Sequence, residues 1–283
     1  MNPRVIMRSM FDNATIGRFN FITVENAIQV LRQWVKRFPK HYDLIIGVPR
    51  AGLFFGSMIA NNLGVRLSTP DMLPSFWDAS NLPYTPIHNI LVVEDSVLRG
   101  SRLLPARDRA KHFFPDATVH VGSVYVHENA IPLDTYGEVF PKHGLFEWDL
   151  MHLDASMKVA TDLDGVICSD PPGMAEKDLG MWIPTAKPYL IPAYGIHAII
   201  TSRNEVYRDM TVKWLKENGV LYRGLYMDPT PIGHKKDYFR HKVDLINRTM
   251  PKLFLESNDH LAWRLHWATG IPTLAVDTMR FFG

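Results

Sequence analysis

Cysteine, excess charge and long apolar runs are all scarce in this sequence of 283 residues. The single cysteine, Cys168, excludes an intramolecular disulfide framework and is typical of a reducing compartment. A formal net charge of +2 gives no reason to expect nucleic acid or an anionic membrane as a partner. No apolar run approaches the ~20 residues of a spanning helix, and the first residues lack the apolar core of a secretory signal. These absences predict a cytoplasmic location and no membrane partner.

Short apolar runs alternate with longer stretches of helical period, and no repeat of fixed period is present. This alternation indicates βαβ units and therefore an α/β fold class. A first helix is predicted to begin at Thr23, and the pattern restarts near residue 150. The length suits about two domains. We predict residues 1–153 and 154–283 as two domains, each an open, mainly parallel sheet with flanking helices, joined by a short linker around 153–156.

One segment of the first half lacks any periodicity. Between Ser68 and His88 the sequence contains four prolines and no helical or strand pattern. A structureless loop of this length inside a compact domain is usually a lid or a binding loop. We therefore predict a lid over residues 68–88.

The stretch ILVVEDSVLRGSR carries the chemistry of the first half. An apolar strand ends in two adjacent carboxylates, Glu94 and Asp95, and a loop with Gly100 opens a helix near Ser101. Ligands of open α/β sheets bind at the carboxyl ends of strands, and such a loop presents unpaired N–H groups to phosphate. Adjacent carboxylates can hold two vicinal sugar hydroxyls. The pattern predicts a site for a phosphoribosyl group.

This stretch resembles the phosphoribosyl-pyrophosphate (PRPP) motif of type I phosphoribosyltransferases. DLIIGVPRAG resembles their pyrophosphate loop, and GSVYV to FEWDL resembles the base side of purine-type members. The resemblance implies transfer of 5-phosphoribosyl from PRPP to a nucleobase-like acceptor. It implies base contacts by His127 and Trp148. The PRPP-binding residues that it implies are Arg50, Ala51, Gly52, Glu94, Asp95, Arg99, Gly100, Ser101 and Arg102.

The first half departs from this family pattern at three positions. Arg99 and Arg102 stand where the family usually has the Ser or Thr hydroxyls that hold the 5-phosphate. Only Ser101 keeps a hydroxyl there, and Arg99 would supply charge instead. His127 stands where purine-type members tend to have lysine. The resemblance therefore implies phosphoribosyl binding without fixing the base.

The stretch TDLDGVI carries the chemistry of the second half. Asp162 and Asp164 follow an apolar strand and precede a glycine turn. Such a pair suits phosphoryl transfer, with one carboxylate as nucleophile and the other as acid and base. Charge that develops on the phosphoryl oxygens needs a metal ion and a cation. Later candidates, in chain order, are Thr201, Lys235, Lys236, Lys242, Glu256 and Asp259.

This order resembles the haloacid dehalogenase superfamily of phosphatases. The resemblance implies Asp162 as nucleophile, Asp164 as general acid and base, and Thr201 as the phosphate-binding hydroxyl. Lys242 is favoured as the catalytic lysine, although Lys235 and Lys236 remain open. A Mg²⁺ site is implied, with Ser257 standing where the family usually has a metal-binding aspartate. The implied metal ligands are Asp162 and Asp164, completed by Glu256 or Asp259.

Together the resemblances imply a bifunctional enzyme of nucleotide metabolism. It would transfer the phosphoribosyl group and then hydrolyse a phosphomonoester, the 5-phosphate of the product. Its partners would be PRPP and a nucleobase or nucleotide, and a homodimer stays open. One alternative makes the first half a non-catalytic PRPP or nucleotide sensor that regulates the phosphatase. A second makes the chain a nucleic-acid end-processing phosphatase, against which the near-neutral charge argues.

Overall fold

The computed structural model describes residues 20–75, 86–140, 144–153, 158–234 and 237–283. The chain divides into an N-terminal unit, Ile22–Trp148, and a C-terminal unit, Asp149–Gly283 with residues 20 and 21. The division thus falls a few residues before the predicted boundary at Leu153. Part of the predicted lid, at 76–85, and most of the predicted linker, at 154–156, lie outside the described residues. Within the described ranges, every helix is too short or too polar to cross a membrane.

The N-terminal unit is built on a sheet of five parallel strands. They are β2 (Leu44–Gly47), β3 (Arg66–Ser68), β4 (Asn89–Val97), β5 (Thr118–His127) and β6 (Thr135–Phe140). Their order is β3-β2-β4-β5-β6, and each neighbouring pair is parallel. Two short strands, β1 (Asn20–Ile22) and β7 (Gly144–Phe146), lie outside this sheet.

Three helices cover the two faces of this sheet: α1 (Val24–Val35), α2 (Ala51–Leu63) and α3 (Leu103–Phe113). The predicted start at Thr23 is confirmed, because Thr23 and Asn26 form a capping box. Alternate residues of β4 enter two cores. Leu91 and Val93 pack with side chains of α1 and α2, whereas Val92 packs with side chains of α3.

The C-terminal unit is built on a six-stranded sheet. Its strands are β8 (Val159–Thr161), β9 (Ala198–Asn204), β10 (Leu225–Asp228), β11 (Leu253–Glu256), β12 (Thr273–Ala275) and β13 (Arg280–Phe282). The order is β10-β9-β8-β11-β12-β13, parallel except for the antiparallel last pair. The α/β class with mainly parallel sheets is therefore confirmed in both units. The central position of β8 places Asp162 between the ends of β9 and β11.

The helices of this unit are α4 (Leu179–Trp182), α5 (Arg208–Glu217), α6 (Tyr238–Thr249) and α7 (Asp259–Thr269). Gly219 follows α5 and Gly270 follows α7, with φ of 70° and 69°, the left-handed conformation that favours glycine after a helix. Strand β8 is the apolar strand predicted before Asp162 and Asp164, whereas β10, β12 and β13 were not predicted.

Candidate functional sites

Two neighbouring parallel strands of the N-terminal unit each run into a helix at the same edge of the sheet. Strand β2 leads through Pro49 and Arg50 into α2, and β4 leads through Gly100 into α3. Neither helix carries an acidic residue in its first turn. The positive ends of two helix dipoles therefore face this edge, which suits a phosphate group.

Two glycines allow the close approach that this edge requires. A Cβ atom on Gly52 would lie 2.6 Å from the carbonyl oxygen of Val93, so any side chain would force α2 away from β4. Gly100 has a φ of 63°, and a Cβ there would lie 2.2 Å from Cδ1 of Ile131. Backbone geometry thus accounts for the glycine of each predicted loop.

The adjacent carboxylates of β4 have different partners. The strand continues to Val97, past its predicted end, so successive side chains point to opposite faces. Glu94 Oε1 lies 3.1 Å from Nη2 of Arg102. Asp95 Oδ2 accepts a hydrogen bond of 2.8 Å from Nε1 of Trp148. The sequence pattern predicted that the two carboxylates would together hold neighbouring sugar hydroxyls. In the structure the two buried carboxylates instead have separate partners and are not presented side by side.

Glu94 is a buried acid of this edge. Burial raises the pKa of Glu94 to about 7; Arg102 opposes this change and Asp95 adds to it. The contact with Arg102 is one of charge, since Glu94 Oε1 accepts no aligned hydrogen bond there. Near neutral pH this carboxyl group can therefore either donate a hydrogen bond to a ligand or accept one.

The other predicted PRPP residues lie on the two turns. Ala51 and Gly52 begin α2, while Arg50, Arg99, Ser101 and Arg102 are exposed. Nη1 of Arg102 donates to the carbonyl oxygen of Pro49 at 3.3 Å, which ties one turn to the other. The structure thus brings the nine predicted residues to two adjacent turns and the end of β4.

The two predicted base-binding residues differ in their surroundings. His127 ends β5 at the carboxyl edge and is partly exposed. Trp148 stacks on Phe146, with 4.8 Å between ring centroids, and meets Phe55 edge-on at 5.0 Å. The indole of Trp148 therefore contributes to the core and positions Asp95. Base binding by His127 and Trp148 stays a prediction.

In the C-terminal unit a single lysine joins two acids. Nζ of Lys242 donates to Oδ2 of Asp162 at 2.5 Å and to Oε2 of Glu256 at 2.7 Å. Asp162 follows β8, Glu256 ends β11, and α6 supplies the lysine. All three side chains are buried. Lys242 is thus the candidate lysine beside Asp162, whereas Lys235 and Lys236 lie outside the described residues.

The charges of this triad depend on one another. Burial raises the pKa of Asp162, with Lys242 opposing and Glu256 reinforcing the change. Burial alone would lower the pKa of Lys242, but Asp162 and Glu256 together raise it above its ordinary value. Lys242 is therefore charged, and two carboxylates share one cation. Oδ1 of Asp162 accepts the N–H of Leu163 at 2.7 Å, which fixes the carboxylate further.

Asp164 is held by an arginine that the sequence analysis did not name. Arg203 is buried and donates to Asp164 from Nη2 at 2.6 Å and from Nε at 3.0 Å. Its Nη2 also lies 3.1 Å from Sγ of Cys168, and its guanidinium lies 5.2 Å from the Trp182 ring centroid. Arg203 follows Thr201 by two residues in β9 and so lies on the same face. That spacing is the signal that could have identified it.

One pocket at this edge brings together the four predicted catalytic residues, Asp162, Asp164, Thr201 and Lys242. Two further acids, Asp170 and Asp277, also line it, and the sequence analysis did not name them. Although Asp170 is exposed, shielding by the pocket wall raises its pKa, and Asp164 and Asp277 raise it further. Both acids lie in loops, where no periodic pattern marks them.

The predicted magnesium ligands are engaged elsewhere. Asp164 binds Arg203, and Asp259 accepts hydrogen bonds from Thr278 at 2.9 Å and Arg280 at 2.8 Å. Among the described residues, no group of three or more His, Cys, Asp or Glu side chains is arranged to hold a metal ion. As arranged, the four predicted donors do not form a magnesium site. Mg²⁺ dependence stays a prediction, tested by hydrolysis before and after chelation.

Comparisons with known proteins reach only about half of the chain. No protein-family model matches it, and no curated protein does. A solved xanthine-guanine-hypoxanthine phosphoribosyltransferase from Helicobacter pylori is similar over 47% of this chain and 93% of its own, at 17% identity and a TM-score of 0.39. A purine phosphoribosyltransferase from Pyrococcus horikoshii is similar over 47% and 95%, at 17% identity and a TM-score of 0.37.

Proposed function

We propose that the chain is a two-site enzyme that acts on phosphoribosyl compounds. The C-terminal unit would hydrolyse a phosphomonoester, and the N-terminal unit would transfer 5-phosphoribosyl from PRPP to a nucleobase-like acceptor. The observation that carries the proposal is the buried lysine of the C-terminal unit. Lys242 lies within hydrogen-bond distance of both Asp162 and Glu256 at the carboxyl edge of a parallel sheet. A buried cation beside a carboxylate nucleophile is what phosphoryl transfer requires.

The proposed hydrolysis uses the side chains that line this pocket. Asp162 would attack phosphorus and displace the alcohol, while Asp164 gives a proton to the leaving oxygen. Asp164 would then take a proton from water, whose oxygen attacks the phosphoryl-aspartate and releases inorganic phosphate. Lys242 would offset the charge on the phosphoryl oxygens, and the hydroxyl of Thr201 would donate to one of them.

In the N-terminal unit, the carboxyl edge of the sheet supports binding of a phosphoribosyl group. Two helix N-termini without acids face it, and the glycines at 52 and 100 let the backbone approach closely. Transfer would displace pyrophosphate and attach the acceptor to the ribose. The product keeps a 5-phosphate, which is a phosphomonoester and so a substrate for the second site. The proposed order is therefore transfer first and hydrolysis second.

One observation favours a second candidate, in which the N-terminal unit only senses its ligand. Arg102 is paired with Glu94, and Trp148 donates to Asp95, so neither carboxylate faces the loop without a partner. A ligand that competes for Arg102 would alter these contacts. In this candidate, such a ligand regulates the phosphatase without reacting.

The two candidates are separated by following pyrophosphate and phosphate independently. The chain is incubated with PRPP, Mg²⁺ and a panel of nucleobases. Pyrophosphate release that depends on a base supports the sequential enzyme, and phosphate release alone supports the sensor. Activity confined to nucleic-acid ends would overturn both. The variant Glu94→Ala/Asp95→Ala should stop pyrophosphate release and leave hydrolysis of 4-nitrophenyl phosphate intact.

A further inference from the structure

A second cavity of the C-terminal unit adjoins the catalytic pocket. The two cavities share Asp170 and Asp277 in their walls. The second continues along Ser169, Lys187 and Tyr189, none of which lines the catalytic pocket. Because the walls are shared, one groove runs from Asp162 past the two acids to Tyr189.

The far wall of this groove is fixed to the segment that follows Asp164. The N–H of Ser169 donates to the carbonyl oxygen of Lys187 at 2.9 Å, and the N–H of Lys187 donates to Oγ of Ser169 at 3.2 Å. The N–H of Tyr189 donates to the carbonyl oxygen of Ile167 at 2.8 Å. These backbone bonds hold the wall in place before any ligand arrives, which reduces the entropic cost of binding.

The chemistry along the groove changes in a fixed order. Asp162 and Lys242 lie at one end, where the phosphoryl group would bind. Asp170 and Asp277 follow, and their carboxylates can accept hydrogen bonds from hydroxyl groups. At the other end Tyr189 has 57% of its surface exposed. An exposed aromatic ring in a groove offers a face for stacking, and stacking selects a planar group.

We propose that this groove binds the nucleoside part of a nucleoside monophosphate. The sugar hydroxyls bind Asp170 and Asp277, the base stacks on Tyr189, and the ammonium of Lys187 donates to an acceptor on the base edge. This assignment rests on the proposed phosphatase activity and names its substrate class. It also makes Tyr189 a specificity-determining residue, since a substrate without a base gains nothing from it.

The test compares two substrates in three variants. Adenosine 5′-monophosphate carries a sugar and a base, and glycerol 3-phosphate carries neither. Tyr189→Ala should raise KM for the nucleotide about tenfold, the effect of losing one base–aromatic stack, and leave glycerol 3-phosphate unchanged. Tyr189→Phe should keep the wild-type preference. Tyr194→Ala is the matched control, because Tyr194 is 55% exposed but does not line the groove.

An equal effect of Tyr189→Ala on both substrates, or none on either, would overturn the groove assignment. Failure of the phosphatase proposal shows itself differently, as a wild-type chain that hydrolyses neither substrate. Calorimetry with adenosine 5′-monophosphate and the Asp162→Asn chain then decides the groove alone. Binding that Tyr189→Ala weakens and Tyr194→Ala does not supports the assignment, and equal binding in all three overturns it.

Discussion

Each unit places two acids at the carboxyl edge of a parallel sheet. The acids of one pair share a single partner, whereas the acids of the other pair have separate partners. Asp162 and Glu256 are far apart in sequence, lie at the ends of neighbouring strands and share one buried lysine. Glu94 and Asp95 are adjacent in sequence and lie on one strand, yet each has its own partner. Side chains at the ends of neighbouring strands can meet at one point, whereas successive side chains of one strand point to opposite faces of the sheet.

This difference separates the proposed reaction centre from the proposed binding edge. A shared cation concentrates charge on a few reacting atoms, which favours chemistry at one carboxylate. Separate partners spread the charge over two faces of the sheet, which favours recognition of a larger ligand. Breaking each contact in turn tests whether the comparison holds.

Loss of the shared cation is expected to have the largest effect. Lys242→Met leaves Asp162 and Glu256 buried without compensation, at a cost on the order of 3–5 kcal/mol in the free energy of unfolding. Urea denaturation measures this cost. Lys213→Met is the control, since that side chain is 76% exposed and 3.9 Å from Glu217, and it should cost less than ~1 kcal/mol. Similar small costs in both variants would mean that the two acids do not depend on the lysine.

The raised pKa of Glu94 predicts that the N-terminal unit loses stability as pH rises. The folded state holds a proton up to about pH 7, and the unfolded state releases it near its ordinary pKa of 4.5. The stabilisation is therefore complete below pH 4.5 and is lost as pH passes 7, with a total of ~3 kcal/mol. Denaturation across this range should show a larger loss in wild type than in Glu94→Gln. Glu128→Gln, on an exposed turn, should behave as wild type; a Glu94→Gln chain that does so too contradicts the prediction.

Arg203 binds Asp164, the proposed acid of the C-terminal site. Arg203→Gln should slow hydrolysis of an alkyl phosphate on the order of a hundredfold, because Asp164 loses its orientation as proton donor. Hydrolysis of 4-nitrophenyl phosphate should fall much less, since its leaving group needs no proton. Arg208→Gln, at a surface pair with Glu205, should change neither rate. Equal losses on both substrates would indicate only a structural role for Arg203.

The smallest effect is expected at the binding edge. Trp148→Phe removes one donor from Asp95 and should cost about 1–2 kcal/mol in the free energy of unfolding. Trp263→Phe is the control, because Trp263 is 46% exposed and should cost almost nothing. Guanidinium denaturation of both variants gives the comparison. A Trp148→Phe chain as stable as the control would show that the indole does not support Asp95.

The sequence predicted which elements carry the site residues better than it predicted the partners of those residues. Asp162, Thr201 and Lys242 could be named because apolar runs and helical period mark the elements that carry them. Arg203 was missed although it follows Thr201 at strand spacing, which places the two side chains on the same face of β9. The sequence also could not show that Glu94 and Asp95 diverge, because it did not reveal that β4 continues past them to Val97.

The positions of Asp170 and Asp277 relative to each other could be learned only from the fold. Asp170 and Asp277 lie on separate loops, and no spacing connects them. They become part of one groove only because β8 and β12 belong to the same sheet. Conversely, Asp259 follows β11 closely in sequence, yet Arg280 from the edge strand β13 binds it.

The central claim is that Asp162 acts as the nucleophile of a phosphomonoesterase. Its most direct measurement is phosphate release from 4-nitrophenyl phosphate by wild type, Asp162→Asn and Asp209→Asn, with circular dichroism to verify folding. Asp209 is exposed at the start of α5 and serves as the matched control. We expect Asp162→Asn to lose the activity and Asp209→Asn to keep it. Full activity in a folded Asp162→Asn chain would contradict the claim.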